Sequence, residues 1–338
     1  MTPYEALTEI AFRLERQRAE PFRIQAFRRA SAAIDGASED DLRARLADGR
    51  LARTKGVGDR SLGVIREALG GGVPEYLQRL RDEAPTPGSA EGRALLAALR
   101  GDLHTHSDWS DGTTPIGAMV DAARLLGRDY LAVTDHSRGL AIANGLSEDR
   151  LAEQLAVIAN LDAPGVRVLP GIEVDVLEDG TLDQDPALLD RLDVVVASLH
   201  SRLRADADEI TARLLGAIAD PHTNVIGHVT GRLLEGRRGT RPQSVFDTDR
   251  VFAAAAAAGV AIEINSRPER QDPPDDLLAR ALDAGCLFSI DTDAHAPGHL
   301  DFLGLGAERA AAAGVPLERI VTTWPVDDLL TWTHARRP

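Results

Sequence analysis

Residues that can bind metal ions are concentrated in one short stretch of the chain. The segment 101–112, GDLHTHSDWSDG, holds two histidines and three aspartates within twelve residues. His104 and His106 stand two residues apart, so in an extended strand both side chains project from the same face and can bind one ion. The alternative is a polar surface turn that happens to contain histidines. The rest of the chain must supply further ligands if the first interpretation is right.

Further histidines and carboxylates stand where other predicted strands end. A lone histidine is usually a hydrogen-bonded structural residue, and an aspartate after a strand is often only a helix N-cap. Nine such groups at one place would be costly without cations, so together they predict a metal site. His222, His299 and His334 end no predicted strand, and we expect structural roles for them. The candidate ligands are His104, His106, Asp111, His136, Glu173, His200, His228, Asp293 and His295.

The elements that would position these ligands follow a regular alternation. Candidate strands end at residues 104–106, 136, 174, 200, 228, 265 and 293, and segments of helical period lie between them. Seven such units predict an α/β fold with parallel strands, right-handed crossovers and a closed or nearly closed barrel. All carboxyl ends of the strands then meet at one rim, where sites are formed.

The N-terminal part of the chain has a different pattern. Leu7, Ile10 and Leu14 fall at helical spacing, and Pro21 precedes a second helical stripe. This pattern predicts four or five short helices and no strand. We expect a helical domain over 1–84, a linker over 85–97, rich in proline and small polar residues at its start, and the barrel domain over 98–338.

Composition limits the possible surroundings and partners. The single cysteine, Cys286, excludes an internal disulfide and fits a reducing cytoplasm, and no targeting segment is visible. The longest apolar run, over 251–264, is shorter than the ~20 residues of a spanning helix, so no membrane partner is expected. The net charge is −15, of which residues 1–90 carry +1 and the rest −16. An acidic domain can still bind phosphate if cations occupy its carboxylates.

The motifs HTH…SDG, TDHS, GIEV, SLHS, GH and DTDAH resemble the PHP (polymerase and histidinol phosphatase) family of metallophosphoesterases over about residues 98–335. The segments TDHSRGLAIANGLS, IGHVTGRLL, EINSRPER and SIDTDAH are similar to the PHP domain of bacterial family X DNA polymerases. The resemblance implies a distorted (β/α)7 barrel that holds three divalent metal ions, Mn, Zn or Fe.

The resemblance also implies roles for individual residues. It assigns one ion to His104, His106 and Asp293, a second to His200 and His228 with Glu173 as the bridge, and a third to Asp111, His136 and His295. The family often has histidine where Asp111 stands. The carboxylate oxygen in this chain therefore favours Mn or Fe over Zn at the third ion. Such a cluster supplies hydroxide near neutral pH, with Glu173, Asp293 and His295 at the reacting centre. Arg202, Arg232 and Arg267 follow strand ends and either bind phosphate or are solvated loop residues.

The segment 55–60, KGVGDR, resembles a helix-hairpin-helix, and PFRIQAFRRA resembles the N-terminal domain of family X polymerases. This implies that Lys55, Gly56, Gly58 and Arg60 contact a DNA phosphate, partly through backbone N–H groups. The alternative is a simple tight turn. The helix expected over 59–69 has no lysine, so Schiff-base lyase activity is not expected. No nucleotidyl-transfer core stands between the two domains, so polymerase activity is not expected either.

Three functions remain open at this point. The favoured hypothesis is a metal-dependent phosphoesterase that acts on DNA ends, as a 3′-5′ exonuclease, a 3′-phosphatase or both. The second is a small-molecule phosphomonoesterase for a substrate such as histidinol phosphate or a nucleotide. The third is a non-catalytic DNA-binding or scaffold protein whose metal cluster is inert.

Overall fold

The computed structural model describes residues 1–83, 88–236 and 239–337. They form two compact units, and the boundary between them falls between residues 87 and 88. None of the helices in the described residues is both long enough and apolar enough to cross a membrane.

The first unit is helical, as predicted. Thr2 and Glu5 form a capping box at its first helix, in which each side chain accepts a hydrogen bond from the other residue's backbone N–H. Leu7, Ile10 and Leu14 are fully buried in the core of this unit. No strand occurs among its described residues. The helices are α1 (Pro3–Arg16), α2 (Pro21–Ile34), α3 (Glu39–Ala47), α4 (Asp59–Leu69) and α5 (Glu75–Asp82).

The second unit is built on seven parallel strands whose order in the sheet follows their order in the chain. Thr105 and Ala294 form a parallel bridge between the segments that follow the first and last strands, and the His106 N–H donates to the Ala294 carbonyl at 2.8 Å. The predicted nearly closed barrel is therefore confirmed. The strands are β1 (Gly101–Asp102), β2 (Tyr130–Val133), β3 (Arg167–Asp175), β4 (Val194–Ser198), β5 (Val225–Ile226), β6 (Ala261–Asn265) and β7 (Leu287–Asp291).

Strand β4 shows why both faces of these strands are apolar. Val194 and Val196 belong to the cluster that fills the barrel interior, to which each strand from β2 to β6 contributes one face. Val195 and Ala197 face outward and pack in the layer beneath the surrounding helices. A strand buried on both faces is typical of parallel sheets. The apolar interior ends at Ser198, so the polar residues that follow lie at the rim.

Helices connect the strands and pack around them. Several begin at Ser or Asp N-caps, such as Asp206, which accepts from the Glu209 N–H at 2.9 Å. The long apolar run over 251–264 is the end of a helix, a left-handed turn at Gly259 and then β6. The helices are α6 (Ala90–Ala98), α7 (Ile116–Leu125), α8 (Glu148–Ala159), α9 (Pro186–Leu189), α10 (Ala207–Ala219), α11 (Thr248–Ala258), α12 (Asp275–Asp283), α13 (Leu303–Ala312) and α14 (Val326–His334).

The structure differs from the linker predicted over 85–97. Helix α6 occupies most of that range and packs against α13. Ser89 caps α6, and its own N–H donates to Glu308 at 2.9 Å. The proline and small polar residues that predict a linker stop at Ser89. The helix that follows belongs to the barrel unit. Residues 85–87 of the predicted linker lie outside the described residues.

Candidate metal centre

The nine predicted ligands come together at the rim formed by the carboxyl ends of the strands. They fall into four overlapping groups, and within each group the candidate ligand atoms lie within 4.8 Å of one another. The four groups are His106, Asp111, His136 and His295; His104, Glu173 and His228; His104, His106 and Asp293; and His136, Glu173 and His200.

Glu173 lies at the middle of the cluster. Its Oε1 is 3.2 Å from His200 Nε2 and 2.9 Å from His228 Nε2. Its Oε2 is 3.2 Å from His104 Nε2 and 2.8 Å from His136 Nδ1. One carboxylate therefore faces imidazoles from both sides, as a ligand that bridges two ions must. Its side chain is 1% exposed, so water does not compete for those oxygens.

Several of these polar atoms are buried without a hydrogen-bond partner among the described residues. A buried polar group without a partner is destabilising, and native proteins seldom retain one unless an ion or water satisfies it. A divalent cation satisfies such oxygen and nitrogen donors, so the residues fit the metal ions that the sequence predicts. These atoms include His106 Nδ1 and Nε2 and His228 Nδ1.

Two carboxylates outside the predicted set orient histidines of the cluster. Glu263 Oε1 lies 2.6 Å from His104 Nδ1, and Asp175 Oδ1 lies 2.5 Å from His200 Nδ1. Each contact leaves the Nε2 atom free to face Glu173. Carboxylates on the distal nitrogen commonly fix the ring orientation of a metal ligand. Neither residue was predicted from the sequence, although Asp175 stands two residues after Glu173 on β3 and so projects from the same face.

Electrostatics keep the central carboxylates ionised. Burial would raise the pKa of Glu173, but His104, His136 and His200 outweigh it and hold that pKa well below its usual range. For Asp293, burial is likewise outweighed, chiefly by Arg267, and the pKa is again well below its usual range. These side chains are therefore charged at neutral pH.

The neutral form of His106 is strongly favoured. Burial is the main cause, the nearby His295 and His136 add to it, and the pKa of His106 falls to about 3. Metal ligands must be deprotonated to bind. His106 is therefore in the ligating form throughout the physiological range.

Asp135 holds the turn that presents Asp111. It is buried just after β2 and accepts hydrogen bonds from the Ser107 N–H at 2.8 Å, the Ser107 hydroxyl at 2.6 Å, the Ser110 hydroxyl at 2.5 Å and Gln154 Nε2 at 2.6 Å. This turn lies directly before Asp111, whose Oδ1 is 3.2 Å from His295 Nε2. This role was not predicted from the sequence.

Two of the predicted phosphate-binding arginines have partners away from the cluster. Arg202 forms a pair of hydrogen bonds with Glu209, at 2.5 and 2.7 Å, and Arg232 donates to the carbonyls of Arg270 and Gln271. Neither side chain lines the pocket at the cluster. These nearby acceptors occupy both guanidinium groups, so the geometry does not support a catalytic role for either residue, and both roles stay predictions.

Other arginines do line that pocket, which has a volume of about 630 Å³. Arg267 Nη1 lies 2.9 Å from His295 Nδ1, and Arg270 Nε donates to Asp293 Oδ2 at 3.0 Å. Arg204 is exposed and makes no hydrogen bond or ion pair with any of the described residues. Of these three arginines, only Arg267 was predicted from the sequence.

His222, His299 and His334 do not belong to the metal-binding groups found among the described residues. His222 lies between two carboxylates, with Nδ1 2.9 Å from Asp220 and Nε2 3.0 Å from Asp190. His299 accepts from the backbone N–H of His295 at 3.3 Å. These contacts agree with the structural roles that the sequence predicts.

In the helical unit, the predicted DNA contacts lie on the turn before α4. Gly56 has φ of +98°, and a Cβ there would lie 2.9 Å from the Arg29 carbonyl oxygen, so the turn requires glycine. Gly58 is the N-cap of α4, and Lys55 is exposed. The Arg60 guanidinium lies 5.5 Å from the centre of the Tyr76 ring. The turn thus presents a helix N-terminus beside two cations.

The fold and the site define a class: a parallel barrel with a histidine and carboxylate centre for metal ions at its carboxyl-terminal rim. A family model for the PHP domain matches residues 102–267. A probable phosphatase of Thermoanaerobacter sp. (strain X514) is 31% identical over 205 residues, which cover 57% of this chain and 78% of that protein. The chain belongs to the PHP family.

Two further comparisons differ in coverage. The DNA polymerase/3′-5′ exonuclease PolX of Bacillus subtilis (strain 168) is 34% identical over 259 residues, which are 76% of this chain. The match spans only 45% of that polymerase. The crystal structure of histidinol phosphate phosphatase from Lactococcus lactis subsp. lactis Il1403, complexed with zinc, L-histidinol and phosphate, is 18% identical with a TM-score of 0.47. The matched region covers 64% of this chain and 94% of the Lactococcus lactis chain.

Proposed function

We propose that this protein is a metal-dependent phosphoesterase that hydrolyses phosphate esters at DNA ends. The observation that carries the proposal is the position of Glu173, whose two oxygens face four histidines at 2.8–3.2 Å. Nearby, buried nitrogens of His106 and His228 have no hydrogen-bond partner in the part of the chain that the structure describes. The similarity to probable phosphatases supports ester hydrolysis. The similarity to PolX supports DNA as the substrate.

The nine cluster residues would hold three divalent ions, Mn, Zn or Fe, in the assignment that the sequence analysis gives. Such ions lower the pKa of bound water and stabilise negative charge on phosphate. Glu173 holds its charge between the histidines, and Asp175 and Glu263 fix the rings of His200 and His104. Arg267 and Arg270 lie against Asp293. They keep that carboxylate ionised and oriented toward the cluster.

Arg204 replaces Arg202 as the candidate for phosphate binding. It lines the pocket, and its guanidinium has no partner among the described residues, so binding an anion breaks no existing ion pair. A guanidinium can bind phosphate through two parallel hydrogen bonds.

The turn at Lys55, Gly56, Gly58 and Arg60 would bind a DNA phosphate. The helix α4 begins at Asp59, and the N–H groups of its first turn have no acceptors within the helix. Anions are stabilised at such a terminus. We infer that this turn raises the affinity for DNA without taking part in hydrolysis.

An activity screen tests the proposal directly. Protein loaded with Mn, Zn or Fe would be incubated with oligonucleotides that end in a 3′-hydroxyl or a 3′-phosphate, with histidinol phosphate and with an aryl phosphate ester. Release of nucleotides or phosphate from the oligonucleotides supports the proposal. Hydrolysis of small esters alone would favour a small-molecule phosphatase, and no hydrolysis with any metal would favour an inert cluster in a binding protein.

A further inference from the structure

An apolar side chain stands at the edge of the metal-site pocket. Ile142 is 85% exposed, more than any other large apolar side chain of the described residues, and it lines the pocket with Leu140 and Ala143. Single exposed apolar residues are common, so exposure alone does not indicate a function. The position of Ile142 and the way its loop is held are the informative features.

The loop is closed at its base beside a residue of the cluster. Ser137 and Leu146 form a parallel bridge, and the Leu146 N–H donates to the His136 carbonyl at 2.7 Å. The His136 ring is part of the metal-binding groups. The backbone that carries Ile142 is therefore fixed to the backbone of a candidate ligand.

The tip of the loop is also held. Ile142 lies in a 3-10 turn, Ala141–Ala143, that ends at Asn144 with φ of 56°. Asn144 Nδ2 donates to the Trp109 carbonyl at 3.2 Å, and Arg150 Nη1 donates to the Asn144 carbonyl at 2.8 Å. These bonds preorganise the tip, so little ordering entropy is lost when a ligand packs against Ile142.

The pocket thus combines two kinds of surface. Arg204 supplies positive charge for an anion, and the loop supplies an aliphatic face. Its volume of about 630 Å³ lies within the ~300–1,000 Å³ range of small-molecule sites. A ligand that uses both surfaces has a phosphate and a broad apolar face close together, which describes a nucleotide better than a simple alkyl phosphate.

We propose that Ile142 packs against the base of the terminal nucleotide whose phosphate ester lies at the metal centre. The proposal rests on the proposed function and specifies which part of the DNA end this loop recognises. An aliphatic contact with the face of a base carries no hydrogen-bond readout, so the subsite accepts all four bases. It discriminates against ends that lack a base.

Matched substrates test this inference. The variants Ile142→Ser and Ile142→Phe are compared with wild type on oligonucleotides with a 3′-phosphate on either an ordinary nucleotide or an abasic residue. Leu125→Ser is the control, because Leu125 is 81% exposed at the end of α7 and does not line the pocket. We expect Ile142→Ser to lower kcat/KM roughly ten-fold on the ordinary end. On the abasic end we expect a change of less than about two-fold, since no base is buried there.

Two further results decide the case. Ile142→Phe should retain discrimination between the two ends, because an aromatic ring also packs against a base. Equal reductions on both ends in Ile142→Ser, or no reduction on either, would overturn the base contact. If wild type hydrolyses only the aryl ester, DNA is not the substrate. Inhibition of aryl ester hydrolysis then tests the subsite. Stronger inhibition by thymidine 3′-monophosphate than by deoxyribose 3-phosphate, with the difference lost in Ile142→Ser, would support the base contact. Any other result would overturn it.

Discussion

Asp175 Oδ1 lies 2.5 Å from His200 Nδ1, so a carboxylate outside the metal-binding groups fixes the ring of a candidate ligand. Replacement by asparagine keeps the shape and removes the charge. We expect Asp175→Asn to weaken metal binding about 10–100-fold. Competition with a chelator measures this effect. Asp179→Asn is the control, because the Asp179 carboxylate accepts hydrogen bonds from Thr181 in an exposed turn away from the cluster. Equal metal affinity in the two variants would contradict the orienting role.

Glu173→Gln should remove both metal and activity. An amide presents only one oxygen, so it cannot replace a carboxylate that faces histidines on both sides. We expect less than about a tenth of the wild-type rate and a lower metal content by elemental analysis. Glu209→Gln is a control at an exposed ion pair. A Glu173→Gln protein with full metal content and turnover would show that this residue is not the bridge.

The arginines at 202 and 204 form a natural pair for mutagenesis. Arg204 lines the pocket, whereas Arg202 is held by Glu209. We expect Arg204→Ala to raise KM for a phosphate ester about ten-fold with little change in kcat, because alanine cannot form a charge-assisted hydrogen bond with the bound anion. Arg202→Ala should change KM by less than about two-fold. Steady-state kinetics on one substrate compares them, and the reverse order would restore the sequence-based assignment.

Arg213 is fully buried and connects the ends of β3 and β4. Its guanidinium donates to the carbonyls of Val176 at 2.5 Å, Leu177 at 2.9 Å and Ser201 at 2.9 Å. Arg213→Met would remove all three hydrogen bonds and take this donor from the carbonyl of the buried Val176, at an expected cost of about 2–4 kcal/mol in the free energy of unfolding. Denaturant titration measures this, with the exposed Arg280→Met as control. Similar midpoints for the two variants would contradict the prediction.

Removal of residues 1–87 separates DNA binding from hydrolysis. This boundary keeps Ser89, which caps α6, whereas a cut after residue 90 would remove the cap. We expect unchanged hydrolysis of an aryl phosphate but a higher KM for DNA ends. The salt dependence on duplex DNA should flatten by about 0.9 in log–log slope for each phosphate that the shortened protein no longer neutralises. Arg60→Glu should reproduce part of this change. Equal DNA cleavage by both proteins at every salt concentration would favour the small-molecule function.

The ligand cluster was accessible from sequence because histidine and carboxylate positions coincide with strand ends. Strand β5 has only two residues, yet its apolar pair before His228 was sufficient to place that histidine. In a parallel barrel one topological rule brings all such ends together. The candidate ligands therefore needed no knowledge of side-chain conformations.

The arginines were less predictable because competing acceptors decide where a long side chain goes. Arg202 pairs with Glu209 on the next helix, and Arg270 reaches Asp293 from the loop after β6. Sequence position indicates that both are near the rim but does not rank their partners. The predicted linker extended too far toward the barrel for a similar reason. Helix α6 packs against α13, and this long-range contact cannot be read from the local composition.

The wide sequence separation of the ligands couples metal binding to the integrity of the whole barrel. His104 follows the first strand and Asp293 the last, and the bridge between Thr105 and Ala294 brings their segments together. A partly unfolded barrel cannot assemble the groups, so ions that bind only the folded form lower the population of open states. Subglobal opening at the β1–β7 seam would thus be suppressed by bound metal. Hydrogen exchange at the His106 amide, which crosses that seam, would report the coupling.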